Sequence, residues 1–122
     1  MTMAYEKQLI CRGFEADCDL SDYQYCPVKL NSDGEVILAS TVTDRAIGVL
    51  QDAPSAAGRP CRVAVGGVTK AKGADAIAAG AAVEVSADGK FQTLTSGPIA
   101  GIAYTACGAE DELFSLEFFT GE

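Results

Sequence analysis

The sequence predicts a mainly β protein: a small β-barrel or sandwich built from two pseudo-repeated hairpin units, with a short helical turn and an extended N-terminal arm. Three observations carry that expectation. The chain repeats itself: residues 28–36 read VKLNSDGEV and residues 83–91 read VEVSADGKF, so that Val28, Asp33 and Gly34 match Val83, Asp88 and Gly89. After a two-residue deletion, GVLQDA (48–53) faces GIAYTA (101–106) and CRVAV (61–65) faces FSLEF (114–118). Both units hold Asp-Gly between apolar stretches, a strong hairpin signal because the turn needs a positive φ that glycine adopts without steric cost. Finally, turn formers recur every roughly eight to twelve residues between short alternating stretches, the spacing of an all-β sandwich or barrel.

The elements follow in order. Residues 1–15 lie outside the visible repeat and read as an extended arm, with Leu9 and Ile10 isolated among polar neighbours. Residues 16–122 form the single β-rich domain, with its pseudo-repeats at about 28–65 and 83–118. ADCDLSDYQYCP (16–27) holds turn formers and predicts a short helical turn near Ser21–Gln24, ended by Pro27 because the residue before proline prefers extended geometry. Tyr23 and Tyr25 are also in strand phase, which keeps a short extended stretch open. Val28–Asn31 and Glu35–Ala39 are the arms of the first hairpin. RAIGVL (45–50) is a further strand, in which Gly48 marks a bulge or a close backbone approach. DAPSAAGRP (52–60) is a surface loop. Cys61, Val63 and Val65 alternate with Arg62 and Ala64, so Cys61 is expected buried and inert. Gly66-Gly67 is expected to break that strand before Val68–Ala71 resumes it. GADAIAAG (73–80) is short and alanine-rich, with one or two helical turns possible. The second unit then repeats the first, with Gly101 in the place of Gly48. Its last strand, Phe114, Leu116 and Phe118, carries most of the aromatic bulk. The two units are expected to pack together around one shared core.

Composition narrows the function classes. The 122 residues suit one domain, and 48% are apolar, which argues against disorder. The net charge is −8, and all nine basic residues lie within 1–90, leaving 91–122 purely acidic. An acidic chain without a basic stripe points to neither nucleic acid nor an anionic membrane as partner. The N-terminus lacks the basic-then-apolar design of a signal peptide, and no apolar run approaches the roughly 20 residues of a membrane helix. Synthesis in the cytoplasm, with five reduced cysteines at 11, 18, 26, 61 and 107, is the expected state.

The chain offers little for catalysis. It has no histidine, which removes the usual activation of a serine or cysteine nucleophile and most metal-assisted hydrolysis. Cys11, Cys18 and Cys26 lack C-x-x-C spacing. Asp17, Asp19 and Asp22 are hard-cation ligands by type, but no EF-hand pattern contains them, and they read as solvated turn residues. The hairpin turn accounts for Asp33 and Asp88. Glu110, Asp111 and Glu112 form an exposed acidic loop tip where like-charge crowding can raise one carboxyl pKa, with nothing nearby that suggests a substrate pocket. No phosphate loop is present. Catalytic, cofactor-binding and metal-binding residues are therefore all expected to be none, and the chain not to be an enzyme.

The segments ADCDLSDYQYCPVKLNSDGEVILAS (16–40), AIGVLQDAPSAAGRPCRVAVGGVTKAKGADAIAAGAAVEVSADGKF (46–91) and PIAGIAYTACGAEDELFSLEFF (98–119) resemble the small capsid decoration, or capsid cement, proteins of tailed bacteriophages. The order of the IGVLQ strand, the V-x-V-x-G-V strand, the AIAAG segment, the DGK turn and the late G-I-A strand carries the likeness. The resemblance implies a β-rich fold and a structural virion protein that binds the outside of the expanded capsid as a homotrimer and reinforces contacts between coat subunits. Its implied partners are the major capsid protein and itself. The family brings no catalytic residues and no cofactor. The unmatched arm, through Tyr5, Leu9 and Ile10, is the expected contact with a neighbouring subunit or the coat. Another virion β-module, such as a fibre or tail subunit, and a cytosolic ligand-binding β-barrel are the alternatives.

Overall fold

Both Asp-Gly turns are hairpins in the computed structural model, which describes residues 7–118. Strands β2 (Pro27–Leu30) and β3 (Val36–Leu38) flank the first, and β6 (Ala82–Val85) and β7 (Phe91–Thr93) flank the second. Gly34 and Gly89 adopt φ values of 79° and 80°. The turns close in the same way, with the Asn31 N–H donating to the Glu35 carbonyl at 2.9 Å and the Ser86 N–H to the Lys90 carbonyl at 2.7 Å. Four further segments complete the repeat-bearing part: β4 (Gly48–Leu50), β5 (Pro60–Lys72), β8 (Gly101–Ala103) and β9 (Leu113–Phe118). Strand β1 (Lys7–Glu15) precedes them all.

The nine strands form one antiparallel sheet in the order β3-β2-β4-β5-β9-β8-β6-β7, with β1 paired to β5. The sheet curls into a half-barrel, so the barrel-or-sandwich expectation holds only as an all-β curled sheet. No residue from 7 to 118 is helical. The helical turns expected near Ser21–Gln24 and in 73–80 are absent: the first stretch makes only isolated turn bonds, Tyr23 N–H to the Leu20 carbonyl at 3.0 Å and Cys26 N–H to the Tyr23 carbonyl at 3.1 Å, and the amides of the second bond to residues distant in the chain. Leu20 N–H donates to the Pro54 carbonyl at 2.8 Å, and Ile77 and Cys107 exchange bonds of 2.8 and 2.9 Å. Gly66-Gly67 does not break the strand either. β5 runs through it, with φ of 84° at Gly67, and changes partners: Val63 and Ala64 pair with β4, whereas Val68–Lys72 pair with β9.

Of the extended arm, Lys7–Glu15 lies in the sheet of its own chain, with Cys11–Glu15 opposite Pro60–Ala64. This pairing extends the repeat beyond what the sequence displays. The second half of β5 stands to β9 as β1 stands to the first half of β5: Thr69 faces Leu116 as Arg12 faces Val63, and Ala71 faces Phe114 as Phe14 faces Cys61. Each of these strands ends in a parallel bridge to its hairpin, Ala16 to Val36 and Gly73 to Phe91. The loop bonds recur as well: Ala16 N–H to the Arg59 carbonyl (2.9 Å) matches Gly73 N–H to the Glu112 carbonyl (3.0 Å). The left-handed residues pair too, Tyr25 with Gly80 and Gly58 with Asp111. The chain is thus two five-strand halves, β1 to the first part of β5 and the second part of β5 to β9, fused through one long strand.

Each half has its own apolar cluster, in place of the single core expected. Ala16, Leu20, Val28, Val36, Leu50, Cys61 and Val63 fill the first. The larger second cluster contains Ile77, Val83, Phe91, Ala103, Phe114, Leu116 and Phe118, and it also takes in Ala39, Ala46, Val49 and Ala64 from the outer face of the first half. Phe91 and Phe114 meet edge-on with ring centroids 6.3 Å apart, the favourable arrangement for aromatic quadrupoles. Gly48 and Gly101 are close-approach positions: a Cβ would lie 2.3 Å from the Ala64 carbonyl oxygen at the first and 2.1 Å from that of Glu117 at the second.

Candidate functional site

The residues expected to make contacts are divided by the sheet. Tyr5 lies outside the described residues. Leu9 is half-buried against the larger cluster. Ile10 is 55% exposed at an irregularity in the β1–β5 register, where it pairs with Gly66. Leu9 and Ile10 therefore do not form one patch. Strand alternation separates them, and only Ile10 is offered outward.

The charged groups are tied into the frame. Glu84 is fully buried, and every oxygen of its carboxylate is engaged. Gln92 Nε2 and Thr95 Oγ1 donate to Oε2 at 2.6 and 2.7 Å, and the Ser96 and Gly97 amides donate to Oε1 at 3.2 and 2.6 Å. Burial acts to raise its pKa, but the hydrogen bonds, led by those of Thr95 and Gln92, outweigh it and lower the value to about 2. Nothing in the V-E-V alternation distinguishes this glutamate from a solvent-facing strand residue.

At the acidic loop tip, Asp111 shifts down rather than up. Lys90 reaches Asp111 at 2.6 Å, Glu110 at 3.1 Å and Asp88 at 4.0 Å. Its hydrogen bond holds the Asp111 carboxyl below the ordinary range, and Asp111 in turn raises Lys90. A cation from the second hairpin turn thus relieves the like-charge crowding. Asp17 accepts from Asn31 Nδ2 at 3.1 Å, and Asp19 Oδ1 accepts from the Ser21 amide at 2.9 Å. Among the described residues, no three histidine, cysteine or acidic side chains gather as a metal site would require.

All five cysteines are free thiols. Burial pushes the Cys26 thiol up to about 11 and also raises Cys61 and Cys107, so these three are poor nucleophiles. Cys61 is 3% exposed, as its phase with the valines predicts. Two concave places among the described residues are open surface depressions. One of about 560 Å³ lies between Phe14, Asp52, Pro60 and Arg62, with Cys61 at its floor. The other lies among Ser21, Gln24, Tyr25, Lys72 and Asp111. Neither brings together a nucleophile with a base. Among the described residues, the large apolar side chains that face outward are Ile10, Leu30, Ile99, Tyr104 and Leu113, each at least 38% exposed. Sequence reading did not single out the last four.

No curated protein sequence matches the chain. Among solved structures, the N base of the head fiber gp8.5 of bacteriophage phi29 is similar: TM-score 0.65 at 15% identity, over 92% of this chain and 95% of that one. The likeness is one of fold. The model of the phage cement proteins matches residues 27–117, which spans both hairpins, the fused strand β5 and all but the last residue of β9. The chain belongs to the phage cement protein family, a structural family of the phage capsid and not an enzymatic one.

Proposed function

We propose that this protein binds the outer surface of the expanded capsid as a homotrimer and stabilises contacts between coat subunits. The observation that carries the reading is the cement-family match over residues 27–117. The fold is consistent with it. Two apolar clusters fill the interior among the described residues, and the exposed apolar side chains stand on strands and loop ends, where they can meet another protein surface. The β1 edge, through Ile10, is the contact we assign to the coat or a neighbouring subunit. A paired edge would also satisfy main-chain groups of the strand.

A second reading is favoured by the fold likeness to a head-fiber base: the chain would seat a projecting fibre on the capsid. Electron cryomicroscopy of the assembled particle separates the two. Compact density at regular positions across the head, with nothing projecting from it, supports the cement reading. A fibre rising from the same density supports the second reading, and density only at the tail, or none on the head, overturns both.

A further inference from the structure

The two halves are built alike but buried unequally, and the inequality maps a surface. On the first half, Ala39, Ala46, Val49 and Ala64 face outward and are no more than 8% exposed, because they join the cluster of the second half. Their structural counterparts on the second half are Leu94, Ile99, Ile102 and Glu117. These carry larger side chains, yet Ile99 is 44% exposed and the other three are only half-buried. Tyr104, the counterpart of Gln51, is 45% exposed where Gln51 is 5% exposed.

The opposite end of the molecule shows the converse. Val85 is 1% exposed within the larger cluster, while its counterpart Leu30 on the first half is 40% exposed. The turn at Gly89 lies against Leu38, whose Cδ2 would be 2.5 Å from an added Cβ; the equivalent turn at Gly34 has nothing within 4 Å. Lys72 N–H donates to the Tyr25 carbonyl at 2.9 Å, and the corresponding groups are the Glu15 N–H and the Gly80 carbonyl. The contact between the halves is therefore not reciprocal. It joins an outer face of one half to a different face of the next, and it leaves one face of each kind unused at the two ends. A contact of that type is heterologous and repeats head to tail.

We propose that a second copy of this chain is the occupant: the face bearing Leu94, Ile99, Ile102 and Tyr104 docks on the Leu30 face of the next copy, repeating between molecules the packing that joins the halves within each. The complementary surface is already present in the chain, which singles out a second copy over an unrelated partner. The inference rests on the self-association in the reading above and names its two faces.

Sedimentation velocity tests it with the full chain, Ile99→Asp, Leu30→Asp and an equimolar mixture of the two. Both side chains are substantially exposed, so far-UV spectra should match the parent. The parent is expected to sediment as an oligomer and each variant as a monomer, with association weakened at least tenfold. The mixture is expected to form a one-to-one dimer and nothing larger, since one variant keeps the docking face and the other the receiving face. Ile99→Thr and Leu30→Thr, which suit a strand, carry the same expectation if either aspartate variant unfolds. Variants that keep the parent's size overturn these faces while leaving self-association standing. A parent that is monomeric at every concentration overturns the self-association itself.

Discussion

Glu84 stands where Lys29 stands in the first half, and both side chains serve the same loop. In the first half Lys29 holds Asp44 at 3.0 Å, and Asp44 accepts the Ser40 and Thr41 amides at 3.0 and 3.1 Å. In the second half Glu84 accepts the equivalent Ser96 amide, and the next one at Gly97, directly from the strand. Removing a buried acceptor leaves several donors unpaired, so Glu84→Ala is expected to cost about 2–4 kcal/mol in urea unfolding. The pH dependence has a definite sign. Because the folded pKa lies below the ordinary 4.5, this contribution is complete above pH 4.5 and is lost as pH falls toward about 2. Glu84→Gln should be less stable at pH 7 and should lose less on acidification than the parent; equal acid slopes would contradict the assignment. The two turn glycines make a second comparison. Alanine at either needs a left-handed backbone, at about 1–2 kcal/mol. Only at Gly89 does it also meet Leu38. Gly89→Ala should therefore lower the unfolding midpoint more than Gly34→Ala, and equal midpoints would argue against contact between that turn and β3.

At the scale of elements, the close approaches decide which strands can be neighbours. An alanine at Gly48 or Gly101 would place its Cβ against a backbone oxygen of β5 or β9, which no side-chain rotation relieves. Each is expected to lower stability by about 1–3 kcal/mol or more in thermal or urea unfolding, and a neutral substitution would show that β4 or β8 can move aside. These glycines, like Asp-Gly, were legible in the sequence because turn and contact positions tolerate few residue types. Strand β1 as a member of the repeat was not legible. Arg12, Phe14 and Ala16 share no residue identity with Thr69, Ala71 and Gly73, because a strand's place in a ladder is set by main-chain bonds that any residue supplies. The helical turns failed for a related reason. Alanine-rich GADAIAAG has helical propensity, but its amides bond across to Phe91, Cys107 and Ala103, and a segment so short has little helix to lose. One clue to the docking face did lie in the sequence. Matching positions change from Ala39, Ala46 and Val49 to Leu94, Ile99 and Ile102, so the second half keeps apolar side chains on a face that the chain itself does not cover.

On the scale of the whole molecule, duplication yields a frame and leaves function to its surfaces. The chain belongs to the phage cement proteins, a structural family of the capsid, and under the proposed function it acts by complementarity to another protein surface. Its acidity, −8 over the whole chain, keeps free copies apart until an apolar or main-chain contact overcomes the repulsion, so binding should strengthen with moderate salt. Ile10→Asp is expected to weaken attachment through the β1 edge without changing the monomer's fold. The most direct measurement is the thermal disruption temperature of bare expanded capsids, by calorimetry, with and without saturating protein. A reinforcing cement raises that temperature and co-sediments with the capsids, whereas an unchanged temperature with no co-sedimentation would contradict the account.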